Sequence, residues 1–156
     1  MNEDVKNAIS AEGRAEAEAE LRERTEVRRP AIVAAIKTAR EEGDLSENAE
    51  YHAAREDQGM NEARIRVLEE LLANATVVEA TNGDTVGTGS TVSFRDTSSD
   101  KVTDVTLVHR LEANPAEGKL SVESPIAKAL LGAAKGDQVS VATPNGSKTL
   151  EILAVA

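Results

Sequence analysis

The stretch Ala39-Arg40-Glu41-Glu42-Gly43-Asp44-Leu45-Ser46-Glu47-Asn48-Ala49-Glu50-Tyr51 decides the fold. Gly43 is a natural helix stop, and the residues just after it place acids in a tight turn. On both sides the chain reads as helix. Upstream, Ile32, Ile36 and Ala39 recur at spacings of four and three. Downstream, a second helix reads from about Ala49 to Ala73, with Ile65, Leu68 and Leu72 marking its apolar stripe. At 1.5 Å rise per residue that helix is roughly 37 Å long. Two long helices joined by a short break pack antiparallel, so the stretch is the tip of a helical hairpin.

The first arm of the hairpin begins near Ala11, with Ser10 as its cap. Alanine and glutamate dominate to Glu26, and Pro30 predicts a kink or restart. Run back toward the tip, the second helix's stripe becomes Asn61, Gln58, Ala54 and Tyr51. The seam is therefore apolar at its base and polar, with small residues, near the turn. A frayed tip reads this way, and so does an arm that enters a wet, charged cavity.

Past residue 76 the composition changes to β-branched residues broken by Gly, Thr and Ser. Thr76 to Ala80, Ser90 to Arg95, Val102 to His109, Val139 to Thr143 and Lys148 to Val155 read as strands. Pro144-Asn145-Gly146 is a hairpin turn signal between the last two. Ser124-Pro125 caps a short helix, Ile126 to Leu131, that ends at Gly132. The fold class is α+β: a probe-like hairpin followed by a small sheet domain.

Composition narrows the functions open to such a chain. With no cysteine, disulfides, zinc-thiolate sites and thiol nucleophiles are excluded. Tyr51 and Phe94 are the only Tyr, Phe or Trp residues, which argues against a deep aromatic-walled ligand cavity. No apolar run approaches membrane-spanning length, and Met1 to Ala8 lacks a signal-peptide pattern, so a cytoplasmic protein is expected. The net charge of -10 repels nucleic acid as a whole. Nine of the eleven arginines nevertheless precede residue 77. They read either as helix faces paired to nearby glutamates or as a local basic strip.

The acids of the tip also carry two readings. Asp44 and Glu47 are three apart and share a face if the second helix starts at the turn. Glu47 and Glu50 lie where a helix dipole favours negative charge, so capping and solubility account for them. Alternatively, the pair contributes to a magnesium site held mainly elsewhere, because two carboxylates do not fill an octahedral shell. A donated half-site fits better than a free nuclease.

The tip sequence from Ala39 through Glu56 resembles the signature of the GreA/GreB transcript-cleavage factors. Arg28-Arg29-Pro30-Ala31-Ile32 before it and Gln58-Gly59 and Glu62-Ala63-Arg64-Ile65 after it extend the match. Ser124-Pro125-Ile126-Ala127-Lys128-Ala129-Leu130-Leu131-Gly132 resembles the family's second motif. The resemblance implies an antiparallel coiled-coil hairpin over residues 9–76, with its acidic tip at 43–48, and an FKBP-like domain over 77–156. Met1 to Ala8 reads as a disordered tail.

It also implies an accessory factor rather than an enzyme. The partner is bacterial RNA polymerase, entered through its secondary channel by a protein acting as a monomer. Asp44 and Glu47 help hold the polymerase's own Mg2+, no cofactor being bound by the factor alone. The polymerase then cuts the backtracked nascent RNA near its 3′ end. Gly43, Leu45, Asn48 and Tyr51 support the turn. Arg40 and Arg55 are candidates for RNA contact, and Ser124, Pro125, Ile126 and Leu130 for docking on the polymerase. An inhibitory paralogue that occupies the channel without promoting cleavage is the alternative. A prolyl isomerase, suggested by the FKBP-like half, lacks the aromatic pocket. Departures from the family lie in the first helix, where Ala17, Glu23 and Arg24 stand at places that commonly carry large apolar residues.

Overall fold

The computed structural model describes residues 6–79 and 83–156. The chain divides into two units: Ala15–Asn74, and Met1–Arg14 together with Ala75–Ala156.

The chain enters through strand β1 (Ala8–Ser10) and helix α1 (Ala11–Glu23). Ser10 caps that helix as expected, its hydroxyl accepting from the Gly13 amide at 2.9 Å. A π-helical turn, Arg24–Arg28, follows, then α2 (Arg29–Glu41). The irregularity that Pro30 predicts thus falls just before the proline. Pro30 has no amide hydrogen to give the Glu26 carbonyl, so the helix widens there. The Arg29 amide reaches back five residues to the Arg24 carbonyl. The Thr25 hydroxyl donates to the Leu21 carbonyl at 2.9 Å, a back-bond that bends helices.

Helix α3 (Ala49–Asn74) runs back along α2. Ala54, Asn61, Ile65, Leu68 and Leu71 are its buried residues, and Ile36 and Ala39 are buried on α2. The expected stripe is correct at Ile65 and Leu68. It ends on Leu71 rather than Leu72, which is half-buried, because a 3.6-residue period allows a step of three as well as four.

The helices are also stapled by charge. Arg64 forks onto Glu20, with both contacts at 2.9 Å, and Arg29 forks onto Glu62 at 2.7 and 2.8 Å. Between them, Arg24 donates to the Asn61 side-chain oxygen at 3.1 Å, and the Asn61 amide donates to the Arg24 carbonyl at 3.2 Å. Arg24, standing where an apolar residue is common, is therefore satisfied across the seam. For these arginines the reading as glutamate-paired helix faces holds.

In the other unit, β1 pairs in parallel with β2 (Thr76–Val78). The expected end of that strand, Ala80, lies outside the described residues. Five strands form the main sheet: β3 (Thr91–Asp96), β4 (Val102–Val108), β5 (Lys119–Ser121), β6 (Gln138–Thr143) and β7 (Gly146–Val155), in the order β5-β4-β3-β7-β6. All neighbours are antiparallel except β4 and β5. Helix α4 (Pro125–Leu130) buries Ala127 and Leu130 in one core with Val92, Phe94, Leu107, Val122 and Ile152. The strands read from sequence are present within a few residues. The three-residue β1 and β5 are not legible there, being too short to show alternation. Of residues 1–8, assigned to a tail, 1–5 lie outside the described residues and Ala8 lies in β1.

Two outcomes test the hairpin. Leu68 is fully buried, so Leu68→Ala should cost about 2–5 kcal/mol in denaturant unfolding. The Arg64 fork, aided by Arg24 and opposed by partial burial, pulls the Glu20 carboxyl down to about 2. A depressed folded-state value gives stability that is complete above the unfolded value near 4.5 and lost as pH falls toward 2. Thermal melts between those pH values should fall less steeply for Glu20→Gln than for the wild type.

Candidate functional site

The tip is built from the ends of two helices. Helix α2 closes at Glu42, whose amide donates to the Ala39 carbonyl at 3.2 Å. Gly43 then takes φ of 120°, a left-handed conformation that a side chain would strain. Asn48 caps α3, its side-chain oxygen accepting from the Tyr51 amide at 3.0 Å. The same side chain donates to the Ala39 carbonyl at 2.7 Å. One residue thus ties the start of the second arm to the end of the first.

Asp44 and Glu47 lie in the turn this clamp closes, and both are exposed. Because α3 starts at Ala49, they sit in the loop rather than on one helical face. Asp44 uses one oxygen, Oδ1, to accept from the Ser46 amide at 3.0 Å and from the Ser46 hydroxyl at 2.8 Å. These hydrogen bonds hold its carboxyl below the ordinary aspartate range. Its other oxygen has no hydrogen-bond partner among the described residues. Ser46 escaped the sequence reading, although a serine two residues after an aspartate is the pattern of such a turn.

Among the described residues there is no group of three or more Asp, Glu, His or Cys side chains able to hold a metal ion. The two carboxylates fit the role of supplementary ligands, since Mg2+ commonly takes one or two carboxylates and keeps its remaining oxygens from water or phosphate.

Beside the tip, Lys37, Arg40 and Arg55 line one shallow groove of about 390 Å³ between the helices, together with Glu41. Val33 and Ile36 form its apolar part. Arg40 also lies over the Tyr51 ring, 5.9 Å from its centre, a cation–π contact that braces the turn. Tyr51 meets His52 edge-on at 5.6 Å. Arg55 donates to the Gln58 side chain at 3.1 Å. The structure thus brings both RNA-contact candidates together and adds Lys37. The signal for it was its spacing of three from Arg40 on one helix.

The docking candidates separate by burial. Ser124 is occupied as a cap, accepting from the Ala127 amide at 3.2 Å. Pro125 is exposed, and Ile126 is half-buried and lines a groove of about 480 Å³ with Phe94, Leu120 and Leu150. Leu130 is fully buried in the core. It holds α4 in place and offers no surface to a partner.

The chain matches two family models: "Transcription elongation factor, N-terminal" over residues 7–77, and "Transcription elongation factor, GreA/GreB, C-term" over residues 80–156. It is 50% identical over 139 residues to transcription elongation factor GreA of Helicobacter hepaticus, covering 88% of this chain and 85% of that one. It is 46% identical over 149 residues to GreA of Rhodospirillum rubrum, covering 94% and 95%. Among solved structures it is similar to GreA factor homolog 1 (Gfh1) of Thermus thermophilus, at 30% identity over 96% of this chain and 97% of that one, with a TM-score of 0.45. The tip motif, the cap-and-proline motif of α4, the two family models and the two GreA relatives agree: the chain belongs to the GreA/GreB family of transcription elongation factors.

Proposed function

We propose that this elongation factor stimulates the transcript-cleavage activity of RNA polymerase by lending it Asp44 and Glu47. The hairpin enters the polymerase's secondary channel, and the sheet domain docks at its rim through the exposed face around Pro125 and Ile126. The observation that carries this reading is the display of the tip. Two carboxylates are held out in solvent on a turn that Asn48 closes and Gly43 bends. Carboxylates meant only to cap α3 need no such turn, because Asn48 already does the capping.

Bound magnesium supplies charge neutralisation and a water acidified enough to attack a phosphodiester. The chain's own part is narrower. Asp44, oriented by Ser46, presents its second oxygen. Glu47 presents another from the same turn. The polymerase remains the nuclease, and the factor acts by positioning and electrostatics. The inhibitory alternative has no observation in its favour here, since the Gly43-to-Asn48 turn keeps the sequence that resembles the activating form.

The test uses halted, backtracked polymerase complexes with labelled RNA. The wild-type chain should shorten that RNA and leave naked RNA intact. Asp44→Asn combined with Glu47→Gln should lower stimulation by on the order of 100-fold. Affinity for the polymerase should stay within about threefold, since exposed carboxylates at a tip contribute little to docking. A double variant that stimulates as well as the wild type would remove the tip from the mechanism. A wild-type chain that slows ordinary nucleotide addition without shortening backtracked RNA would favour inhibition.

A further inference from the structure

The two edges of the five-stranded sheet are built differently. At one edge β5 is three residues long, and its outer side is occupied. There the Asn114 amide donates to the Lys119 carbonyl at 2.9 Å, and the Lys119 amide donates to the Asn114 carbonyl at 3.0 Å. At the other edge β6 runs for six residues, Gln138–Thr143, in unbroken register with β7. Among the described residues no strand lies on its outer side, and no backbone hydrogen bond outside the β7 ladder reaches it.

The hairpin decides which groups that edge presents. The loop between β6 and β7 is Pro144-Asn145, and Thr143 pairs with Gly146. Proline has no amide hydrogen, so this closing pair must itself be hydrogen-bonded. Hydrogen-bonded pairs alternate along an antiparallel ladder, so Val141 and Val139 also bond to β7. The backbone N–H and C=O groups of Gln138, Ser140 and Ala142 therefore point away from it. The Asp137 carbonyl, which accepts from the Ile152 amide at 2.9 Å, fits the same alternation.

Exposed edge strands are commonly guarded by a lysine, a proline, an inward charge or a bulge. Strand β6 has none of these. Its residues are all uncharged, in a chain that is 29% charged, so two copies can meet there without like charges opposing each other. The strand is also complementary to itself. Run antiparallel to a second β6 about Ser140, it sets Ser140 opposite Ser140 and Gln138 opposite Ala142, which pairs all three outward residues. Val139 then falls opposite Val141. Both valines belong to the core side of the sheet, where Val141 is buried and Val139 is half-buried.

We propose that the factor, when free of the polymerase, pairs with a second copy of itself through β6, joining two five-stranded sheets into one continuous sheet. The occupied β5 edge stops the assembly at a closed twofold pair rather than a filament. Each copy carries a net charge of -10, so long-range repulsion opposes the pairing and salt relieves it.

The chain has no cysteine, so a single Ser140→Cys substitution reports the register. Across a hydrogen-bonded antiparallel pair the Cα atoms lie about 5.5 Å apart, within disulfide range. With a disulfide oxidant such as oxidised glutathione, the two introduced thiols should lose two electrons and two protons and form one covalent dimer. Ala142→Cys faces Gln138 instead and leaves its two thiols roughly 14 Å apart, so it should crosslink poorly.

Sedimentation equilibrium of the wild type should show a dimer with a Kd on the order of 10 μM, as suits an interface below the standard size. Added salt should tighten it. Hydrogen exchange at the Ser140 and Ala142 amides should slow as the concentration of the factor rises. Ser140→Lys, which opposes two ammonium groups across the twofold, should weaken pairing roughly tenfold, with an unchanged circular dichroism spectrum and unchanged cleavage stimulation. A wild type still monomeric at about ten times the expected Kd, equal crosslinking of the two cysteine variants, or a dimer indifferent to Ser140→Lys would each overturn the pairing. So would amide protection of β6 that appears only when a different protein is added, since the edge would then serve a foreign strand.

Discussion

The Asn48 side chain donates to the Ala39 carbonyl at 2.7 Å and accepts from the Tyr51 amide at 3.0 Å, and the geometry of the tip depends on this pair of hydrogen bonds. Every helix end leaves backbone groups without partners. Here one side-chain amide gives the Ala39 carbonyl a second donor beside the Glu42 amide and satisfies an amide hydrogen at the start of α3. An aspartate could accept but not donate, and a serine is too short to bridge the arms. Once the ends are joined, Gly43 through Glu47 must loop outward. Gly43 permits the bend with its positive φ, and the carboxylates of Asp44 and Glu47 are left in solvent. Arg40 over Tyr51 adds a second brace from α2 to α3.

A fixed tip is useful only on a fixed arm. The seam of the hairpin is not uniformly apolar: Glu20, Arg24, Asn61 and Arg64 form a polar layer beside the π turn. Replacing such a layer by packed hydrophobic residues often stabilises a protein. Its value lies in register, because each fork and amide bond is lost if one helix slides by a residue. The same carbonyl of Arg24 accepts from the Arg29 amide and from Asn61, so the seam also stabilises the irregular turn. Arg29 and Glu62 repeat the staple on the tipward side, where the arginine fork holds the Glu62 carboxyl below its usual range. The paired cations of this region set the register.

Much of this was legible in the residues because their physics is local. Gly43, the acidic turn and the spacing of three between Ile65 and Leu68 specify the hairpin without reference to distant contacts. Ser124-Pro125 and Pro144-Asn145-Gly146 punctuate the second half in the same way, and the helix and hairpin they announce are present. What escaped the sequence depends on partners far along the chain. Strand β1 exists because Ile9 pairs with Val77, and β5 because Leu120 pairs with Leu107. Arg24 looked misplaced until Asn61, 37 residues on, was seen to answer it. Leu130 looked like part of a docking motif, yet only the folded core reveals that it faces inward. Asp44 and Glu47 stood out by their place in the turn, whereas the free oxygen of Asp44 depends on where the Ser46 hydroxyl goes.

The most direct measurement is a magnesium titration of RNA cleavage in backtracked polymerase complexes, with and without the factor. If Asp44 and Glu47 contribute oxygen to the polymerase's metal, the wild-type factor lowers the magnesium concentration needed for half-maximal cleavage. Variants neutralised at either carboxylate, though still bound, then lose that shift. An unchanged magnesium requirement with the wild-type factor, or the same shift with the neutralised variants, would contradict the claim that the tip supplies metal ligands.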